Sequence, residues 1–323
     1  MIILKKTKLK LKKNVYFFLG GILLLILAII IGTNVYQDIK YKQTNEYKLL
    51  ELGYSAEEID ILEENLTEEE VTDLTTQEKN NFLLNLLEDE YFIKDNLNRY
   101  MTYHEENEGT TTRNVVATVN TNSDYARYDH NIETDTSKDY LMLVNKYYHL
   151  NEDYVPADLV NISNRYYYGE GHQIRSIVYE AFVDMWNQAN NDGIYLIINS
   201  SYRNYQDQQS VYDSYKDTYG TTYADSIAAR PGYSEHQTGL SLDIFSTEHT
   251  TTTNFKDSPA YSWLTENAYK YGFIQRYKET NEEITGFAEE SWHWRYVGVE
   301  VATYLHEHDI TFDEYYAYFI ANE

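Results

Sequence analysis

The sequence predicts an α+β fold: a small mixed or antiparallel sheet with flanking helices, preceded by a long apolar helix and a short helical spacer. Apolar residues recur at helical spacing from Ile174 to Trp186. Strand-like segments follow at residues 194–199 and 240–245, and helices and strands mix without a regular βαβ repeat, which argues against a doubly wound sheet. With 42% hydrophobic and 15% aromatic residues, the 323-residue chain can build a substantial core.

The charge is strongly acidic overall, with 26 basic and 52 acidic residues and a net charge of −26. Six of the lysines lie in the first thirteen residues, which hold no acid. This small basic tip on an acidic body argues against nucleic acid as a partner, because phosphates would be repelled. The absence of cysteine excludes disulfides, thiolate metal sites and a cysteine nucleophile.

The first predicted element is a transmembrane helix. Residues 14–37 carry no charge, and residues 15–31 are almost wholly apolar. About 20 residues of helix cross the hydrocarbon layer of a membrane. The lysines before it predict a cytoplasmic amino terminus and an extracellular body. A cleaved signal peptide and a buried core helix are the alternatives, although no convincing small-x-small cleavage site follows.

The chain then divides into segments of different character. We expect a cytoplasmic tip at 1–13, an anchor at 14–36, an acidic helical spacer at 37–104, a linker at 105–138 and a folded domain at 139–323. In the spacer, the S/T-x-x-E pattern of a helix-capping box begins at Ser55, Thr67 and Thr75. The linker is rich in Thr, Asn and Asp, with one short strand predicted at 114–119.

The folded domain contains further predicted elements in order. After the 174–186 helix, which Asp192-Gly193 ends, come the strand at 194–199, a helix at 205–219, the strand at 240–245, a helix at 262–271 closed by Gly272, and a strand at 295–297.

Two clusters in this domain carry candidate chemistry, 234–243 (SEHQTGLSLD) and 290–295 (ESWHWR). On one helix, His236 and Asp243 would be roughly 10 Å apart along the axis, too far to share a metal ion. A turn at Gly239 into a strand would bring them together. His293 would add a third ligand and leave a fourth position open for water, as in catalytic zinc sites.

Two more residues suit this chemistry. Glu290 lies three residues before His293, a spacing that places both on one face of a helical turn, where Glu290 could take a proton from the water as a general base. Arg203 follows the strand at 194–199 and could bind a substrate carbonyl oxygen or terminal carboxylate.

These motifs together resemble the VanY-type D-alanyl-D-alanine carboxypeptidases, zinc peptidases of the M15 family. Residues 234–243 resemble the family signature S-x-H-x-x-G-x-A-x-D, residues 290–295 resemble E-x-W-H-x-R, and residues 200–205 (SSYRNY) with Gln208 resemble its S-x-Y-R-S-x-x-x-Q segment. The similarity covers residues 140–305. It implies a DD-peptidase/hedgehog-like fold that carries a Zn²⁺ ion in the domain at 139–323.

The resemblance also implies roles for single residues. His236, Asp243 and His293 match the zinc ligands, Glu290 matches the catalytic base, and Arg203 matches the residue that binds substrate and stabilises the oxyanion. Gln208 and Ser234 match substrate-pocket positions. The sequence departs from the pattern at Ser241, where the signature has Ala, and at Trp294, where Tyr is common and pocket shape could change.

The sequence therefore predicts a membrane-anchored, extracellular zinc carboxypeptidase that removes the carboxy-terminal D-amino acid from peptidoglycan stem peptides ending in D-Ala. An L,D-carboxypeptidase, which shortens a tetrapeptide to a tripeptide, has very similar motifs, and a dipeptidase fits less well. A non-catalytic wall-binding or scaffold protein is the alternative from another class, although such a protein would not need Glu290.

Overall fold

The computed structural model describes residues 13–129 and 131–321. The predicted cytoplasmic tip lies outside these residues except for Lys13. The chain forms two compact units, one up to Phe92 and one from Ile93 onward.

The first unit begins with the long helix α1, Lys13–Tyr41. Its window Val15–Tyr41 is long and apolar enough to cross a membrane, a property that signal sequences share. Large apolar side chains along it are exposed, including Phe17 at 74% and Leu24 at 69%. This exposure contradicts the alternative of a buried core helix and leaves a membrane span or a signal sequence.

Four short helices complete the first unit around a core that includes Leu49, Leu62 and Leu86. The capping boxes predicted at Ser55 and Thr67 are confirmed, since each side chain accepts the amide three residues on and the glutamate there accepts the cap amide. The one predicted at Thr75 is wrong, because Thr75 ends a helix and Asn80 caps the next. The helices are α2 Asn45–Glu51, α3 Ala56–Asn65, α4 Glu68–Leu74 and α5 Asn81–Leu87.

The second unit opens with α6, Leu97–Glu106, and α7, Thr112–Asn120. The strand predicted at 114–119 is wrong, because this stretch is α7. The Thr111 side chain caps it, and Val115 and Val119 are buried one helical turn apart. Part of the predicted linker therefore contributes a buried helix to the second unit.

Two small strand pairs come first in the chain, β1 Ile132–Glu133 with β2 Tyr148–His149, and β3 Leu159–Asn161 with β4 Gln173–Arg175. A four-stranded antiparallel sheet organises the rest. Its strands are β5 Leu196–Ser200, β6 Ser241–Ser246, β7 Phe273–Tyr277 and β8 Glu290–Tyr296, in the order β5-β6-β8-β7. The predicted α+β class is confirmed.

Helices flank this sheet: α8 Ser176–Asn191, α9 Tyr205–Tyr219, α10 Thr221–Ile227, α11 Pro259–Asn267, α12 Glu282–Thr285, α13 Val299–His308 and α14 Phe312–Tyr315. The buried face predicted for α8 is confirmed by Val178, Phe182 and Met185, which pack in the main core with apolar residues of β5 and β6, although Ile174 belongs to β4. The predicted helix at 262–271 begins earlier, at Pro259, and ends in a 3₁₀ turn before Gly272.

Candidate metal centre

Three elements bring the predicted metal ligands together. His236 lies in a 3₁₀ turn, Glu235–Thr238, that ends at Gly239 with φ +63°, a left-handed conformation that glycine adopts without strain. The chain then enters β6, where Asp243 pairs directly with His293 of β8. The predicted turn between His236 and Asp243 is confirmed.

The three side chains are buried and converge on one point. Asp243 Oδ1 lies 3.4 Å from His236 Nε2 and 3.3 Å from His293 Nδ1. The candidate ligand atoms of the three residues all lie within 4.8 Å of one another. Donors about 2.0–2.1 Å from a tetrahedral zinc ion are roughly 3.3 Å apart. The spacing therefore fits a small divalent cation.

Hydrogen bonds behind the rings orient both histidines. His236 Nδ1 lies 2.7 Å from the Ser201 carbonyl oxygen, and His293 Nε2 lies 3.1 Å from Glu235 Oε2. Because both partners are acceptors, these nitrogens carry protons, and the other nitrogen of each ring, which faces Asp243, is the one that a metal ion would bind. Such an arrangement is typical of metal-binding histidines.

Asp243 supports the same interpretation. Within the described part of the chain, its buried Oδ1 has no hydrogen-bond partner, although two ring nitrogens face it. Two lone pairs and a carboxylate oxygen repel one another unless a proton or a metal ion lies between them. The donor set therefore fits a divalent metal ion that prefers nitrogen and oxygen ligands.

Titration behaviour reflects this concentration of negative charge. Burial alone would lower the pKa of His293, but the neighbouring carboxylates of Asp243 and Glu235 raise it to about 9. Burial, with Arg203 nearby, lowers the pKa of His236 to about 4. Burial opposes ionisation of Asp243 as well, yet the two histidines hold its pKa well below the usual range. The three side chains together therefore favour one positive charge between them, which a proton on His293 or a bound metal ion can supply.

Glu290 reaches the same point from β8. Its Oε2 lies 3.7 Å from His293 Nδ1, and burial raises its pKa to about 7. The two residues do not share a helical turn as expected, since both are in a strand. The pairing with β7 shifts between Gln275–Trp294 and Tyr277–Glu290, which leaves extra residues on β8. This bulge turns Glu290 and His293 to the same side, which regular alternation would not allow.

Arg203 lies just after β5 in a fixed orientation. Its Nη1 donates to Ser200 Oγ at 2.7 Å and its Nε donates to Gln208 Oε1 at 3.1 Å. Gln208 in turn donates to the Ala229 carbonyl oxygen at 2.7 Å. Arg203 Nη1 also lies 3.9 Å from Asp243 Oδ2, so the guanidinium borders the candidate metal site.

All the predicted site residues line one cavity of about 230 Å³, here called the site cavity: Arg203, Gln208, Ser234, His236, Asp243, Glu290 and His293. Ser234 also caps the turn that carries His236, since its hydroxyl accepts the His236 amide at 3.4 Å. Trp292 lines the cavity and stacks on Phe245. Trp294 does not line it and is 1% exposed in the main core, so its departure from the family pattern does not shape this cavity.

Sequence reasoning assigned no role to Glu235. This fully buried carboxylate accepts from His293, and its other oxygen accepts from Arg276 and Arg295 at 2.8 Å each. The acid beside a ligand histidine was visible in the sequence. Its partners, however, are 41 to 60 residues away, and their proximity follows only from the strand order.

Comparisons with known proteins identify relatives of this chain. The family model described as "VanY: D-alanyl-D-alanine carboxypeptidase" matches residues 171–299. The YodJ protein of Bacillus subtilis (strain 168) is 39% identical over 181 residues, 54% of this chain and 66% of that protein. A D-alanyl-D-alanine carboxypeptidase of Enterococcus faecalis (strain ATCC 700802 / V583) is 36% identical over 184 residues, 54% of this chain and 65% of that protein.

A solved structure is also similar. The LdcB LD-carboxypeptidase is 35% identical with a TM-score of 0.55, over 60% of this chain and 92% of that one. The chain spans slightly less than two thirds of the lengths of the YodJ and E. faecalis proteins. The matched residues contain His236, Asp243, Glu290 and His293. By these matches and this geometry, the chain belongs to the VanY family of D-alanyl-D-alanine carboxypeptidases.

Proposed function

We propose that this protein is a zinc-dependent D-alanyl-D-alanine carboxypeptidase that removes the terminal D-amino acid from peptidoglycan stem peptides. The observation that carries the proposal is the arrangement in the site cavity. His236, Asp243 and His293 surround one point, Glu290 is 3.7 Å from His293, and Arg203 is 3.9 Å from Asp243.

The residues divide the chemistry between them. His236, Asp243 and His293 would hold the zinc ion, which when bound polarises the scissile carbonyl and makes water more acidic. Glu290, with a pKa of about 7, is poised to accept a proton from water and return it to the leaving amine. Arg203, fixed by Ser200 and Gln208, offers a guanidinium to the terminal carboxylate or to the developing oxyanion.

Purified full-length protein in detergent tests the proposal. We expect it to release D-Ala from a stem pentapeptide in zinc-supplemented buffer and to lose this activity with a chelator. Absence of release from both pentapeptide and tetrapeptide would refute the proposal. Loss of activity in Glu290→Gln would exclude the scaffold alternative, because a binding protein does not need the base.

The L,D-carboxypeptidase alternative keeps the site and changes the bond. It is favoured by the similarity to the LdcB LD-carboxypeptidase. Product masses from a tetrapeptide and a pentapeptide, each given alone, distinguish the two activities.

The proposed location is the outer face of a cell membrane. α1 would anchor the chain, with the lysine-rich tip in the cytoplasm and the second unit on the cell-wall side. Amino-terminal sequencing of the mature protein tests this, because a start after residue 28 would indicate a cleaved signal instead.

A further inference from the structure

A buried charged network lies behind the candidate metal centre, at the Nε2 edge of the His293 ring, opposite the nitrogen that faces Asp243. Glu235 is at its centre with a side chain that is 0% exposed. Its Oε1 accepts from Arg276 Nε and from Arg295 Nη1, each at 2.8 Å. Its Oε2 lies 3.1 Å from His293 Nε2 and accepts from Ser241 Oγ at 3.2 Å. All the lone pairs of this carboxylate are therefore engaged, and it cannot rotate without breaking several bonds.

The network continues to the carboxy-terminal part of the chain. Arg276 Nη1 donates to Asp313 Oδ2 at 2.6 Å, and Asn145 Nδ2 donates to Asp313 Oδ1 at 2.8 Å. Asp313 belongs to α14, beyond the residues that the family model matches. The side chains of Arg276 and Asp313 are also 0% exposed. Such a buried chain of charges is costly to form and is poor evidence of stability, so a positional role explains it better.

That role follows from the chemistry of His293. Both ring nitrogens face carboxylates, Nε2 that of Glu235 at 3.1 Å and Nδ1 that of Asp243 at 3.3 Å. When a metal ion binds Nδ1, the proton of the neutral ring is on Nε2, where the fixed Glu235 carboxylate accepts it and sets the orientation of the ring. Outer partners of this kind typically change metal affinity about 10- to 100-fold when they are removed.

We propose that Glu235 is a positioning residue for the metal centre, and that Arg276 of β7 and Asp313 of α14 hold it in place. The inference rests on the proposed function in that it assumes a divalent metal ion among His236, Asp243 and His293. One 3₁₀ turn then supplies both a ligand, His236, and the carboxylate that orients another ligand.

Zinc affinity of the full-length protein in detergent tests this without any peptide substrate. Competition with a chromophoric chelator gives the Kd for Zn²⁺ alone. We expect Glu235→Gln to weaken zinc binding about 10- to 100-fold. Asp313→Asn should cause a smaller loss, because Arg295 still holds Glu235. The matched control is Glu314→Gln, which alters a neighbouring buried acid whose hydrogen bonds, among the described residues, are those of its own capping box with Thr311.

The Co²⁺-loaded proteins add a spectroscopic readout, since a displaced ligand changes the visible absorption. Zinc affinities within twofold of the wild type in folded Glu235→Gln and Asp313→Asn would overturn the proposal. An equal loss of zinc affinity in Glu314→Gln would also overturn the proposal, since it would show that removing any buried acid in this region weakens zinc binding.

If Glu235→Gln fails to fold, the ¹⁵N NMR chemical shifts of the His293 ring in the zinc-loaded wild type test the proposal instead. An unprotonated Nε2 on His293 would contradict it. Failure of peptide hydrolysis with these affinity changes intact would refute only the proposed function.

Discussion

Two glutamates, Glu290 and Glu235, lie on either side of the His293 ring in different electrostatic environments. On the side of the site cavity, Glu290 is partly exposed, and burial raises its pKa to about 7. On the other side, at the Nε2 edge of the ring, burial alone would raise the pKa of Glu235, but Arg295 and Arg276 hold it well below its usual range. One carboxyl group can thus exchange a proton near neutral pH, while the other stays ionised. The same residue type can therefore hold an exchangeable proton or stay ionised, depending on the cations around it.

The largest expected effect on activity is that of replacing Glu290, which lines the site cavity. Glu290→Gln keeps the shape of the side chain and removes the proton acceptor, so we expect kcat on stem peptide to fall about 10²- to 10⁴-fold. Zinc affinity should stay near the wild-type value. Steady-state kinetics and chelator competition measure the two quantities. If this variant instead binds zinc as weakly as Glu235→Gln, the two glutamates do not differ as described.

Arg203→Lys should have the next largest effect. Lysine keeps the charge but cannot make both the Ser200 and Gln208 contacts, so the cation is no longer fixed. We expect kcat/KM to fall about 10²-fold, by analogy with the loss of one oxyanion donor. Arg165→Lys is the control, because Arg165 stacks on Tyr166 and Trp186. Equal activities of the two variants would remove Arg203 from the mechanism.

Metal removal should reveal how much of the stability depends on the centre. At a free zinc concentration of about 100 Kd, bound zinc adds roughly 2.7 kcal/mol to the free energy of unfolding. For a unit of this size, a chelator should lower Tm by about 5–10 °C, as calorimetry would measure. Glu290→Gln should show the same drop, since it is not a ligand, whereas His293→Ala should show a much smaller one. A chelator-independent wild-type Tm would contradict the metal assignment.

The smallest effect is expected at Ser241, where the family signature has alanine. Ser241→Ala removes one of the bonds to Glu235 and leaves His293, Arg276 and Arg295 in place. The free energy of unfolding should fall by about 1 kcal/mol, and kcat should stay within about twofold. Urea unfolding measures the first, with the exposed Ser210→Ala as a neutral control. A tenfold loss of activity would contradict this, because it would show that the position of Glu235 depends on each of its hydrogen bonds.

Local sequence patterns predicted much of the architecture and the composition of the site. The apolar stripe of α8 and the turn at Gly239 depend on neighbours in the chain, and both are confirmed. The valines of α7 suggested a strand because β-branched residues favour strands. The segment is a helix, stabilised by the Thr111 cap and by burial of its valines. Glu235 was missed because its role depends on partners from distant strands.

The bulge in β8 makes the number of residues between Glu290 and His293 part of the site. Side chains alternate along a regular strand, so two residues three positions apart face opposite sides, and the bulge is what brings Glu290 and His293 to one face. An insertion or deletion between them would change this bulge and the register in which β8 pairs with β7. Substitutions at the intervening Ser291 and Trp292 leave the count intact. We therefore expect this stretch to accept changes of residue type more readily than changes of length.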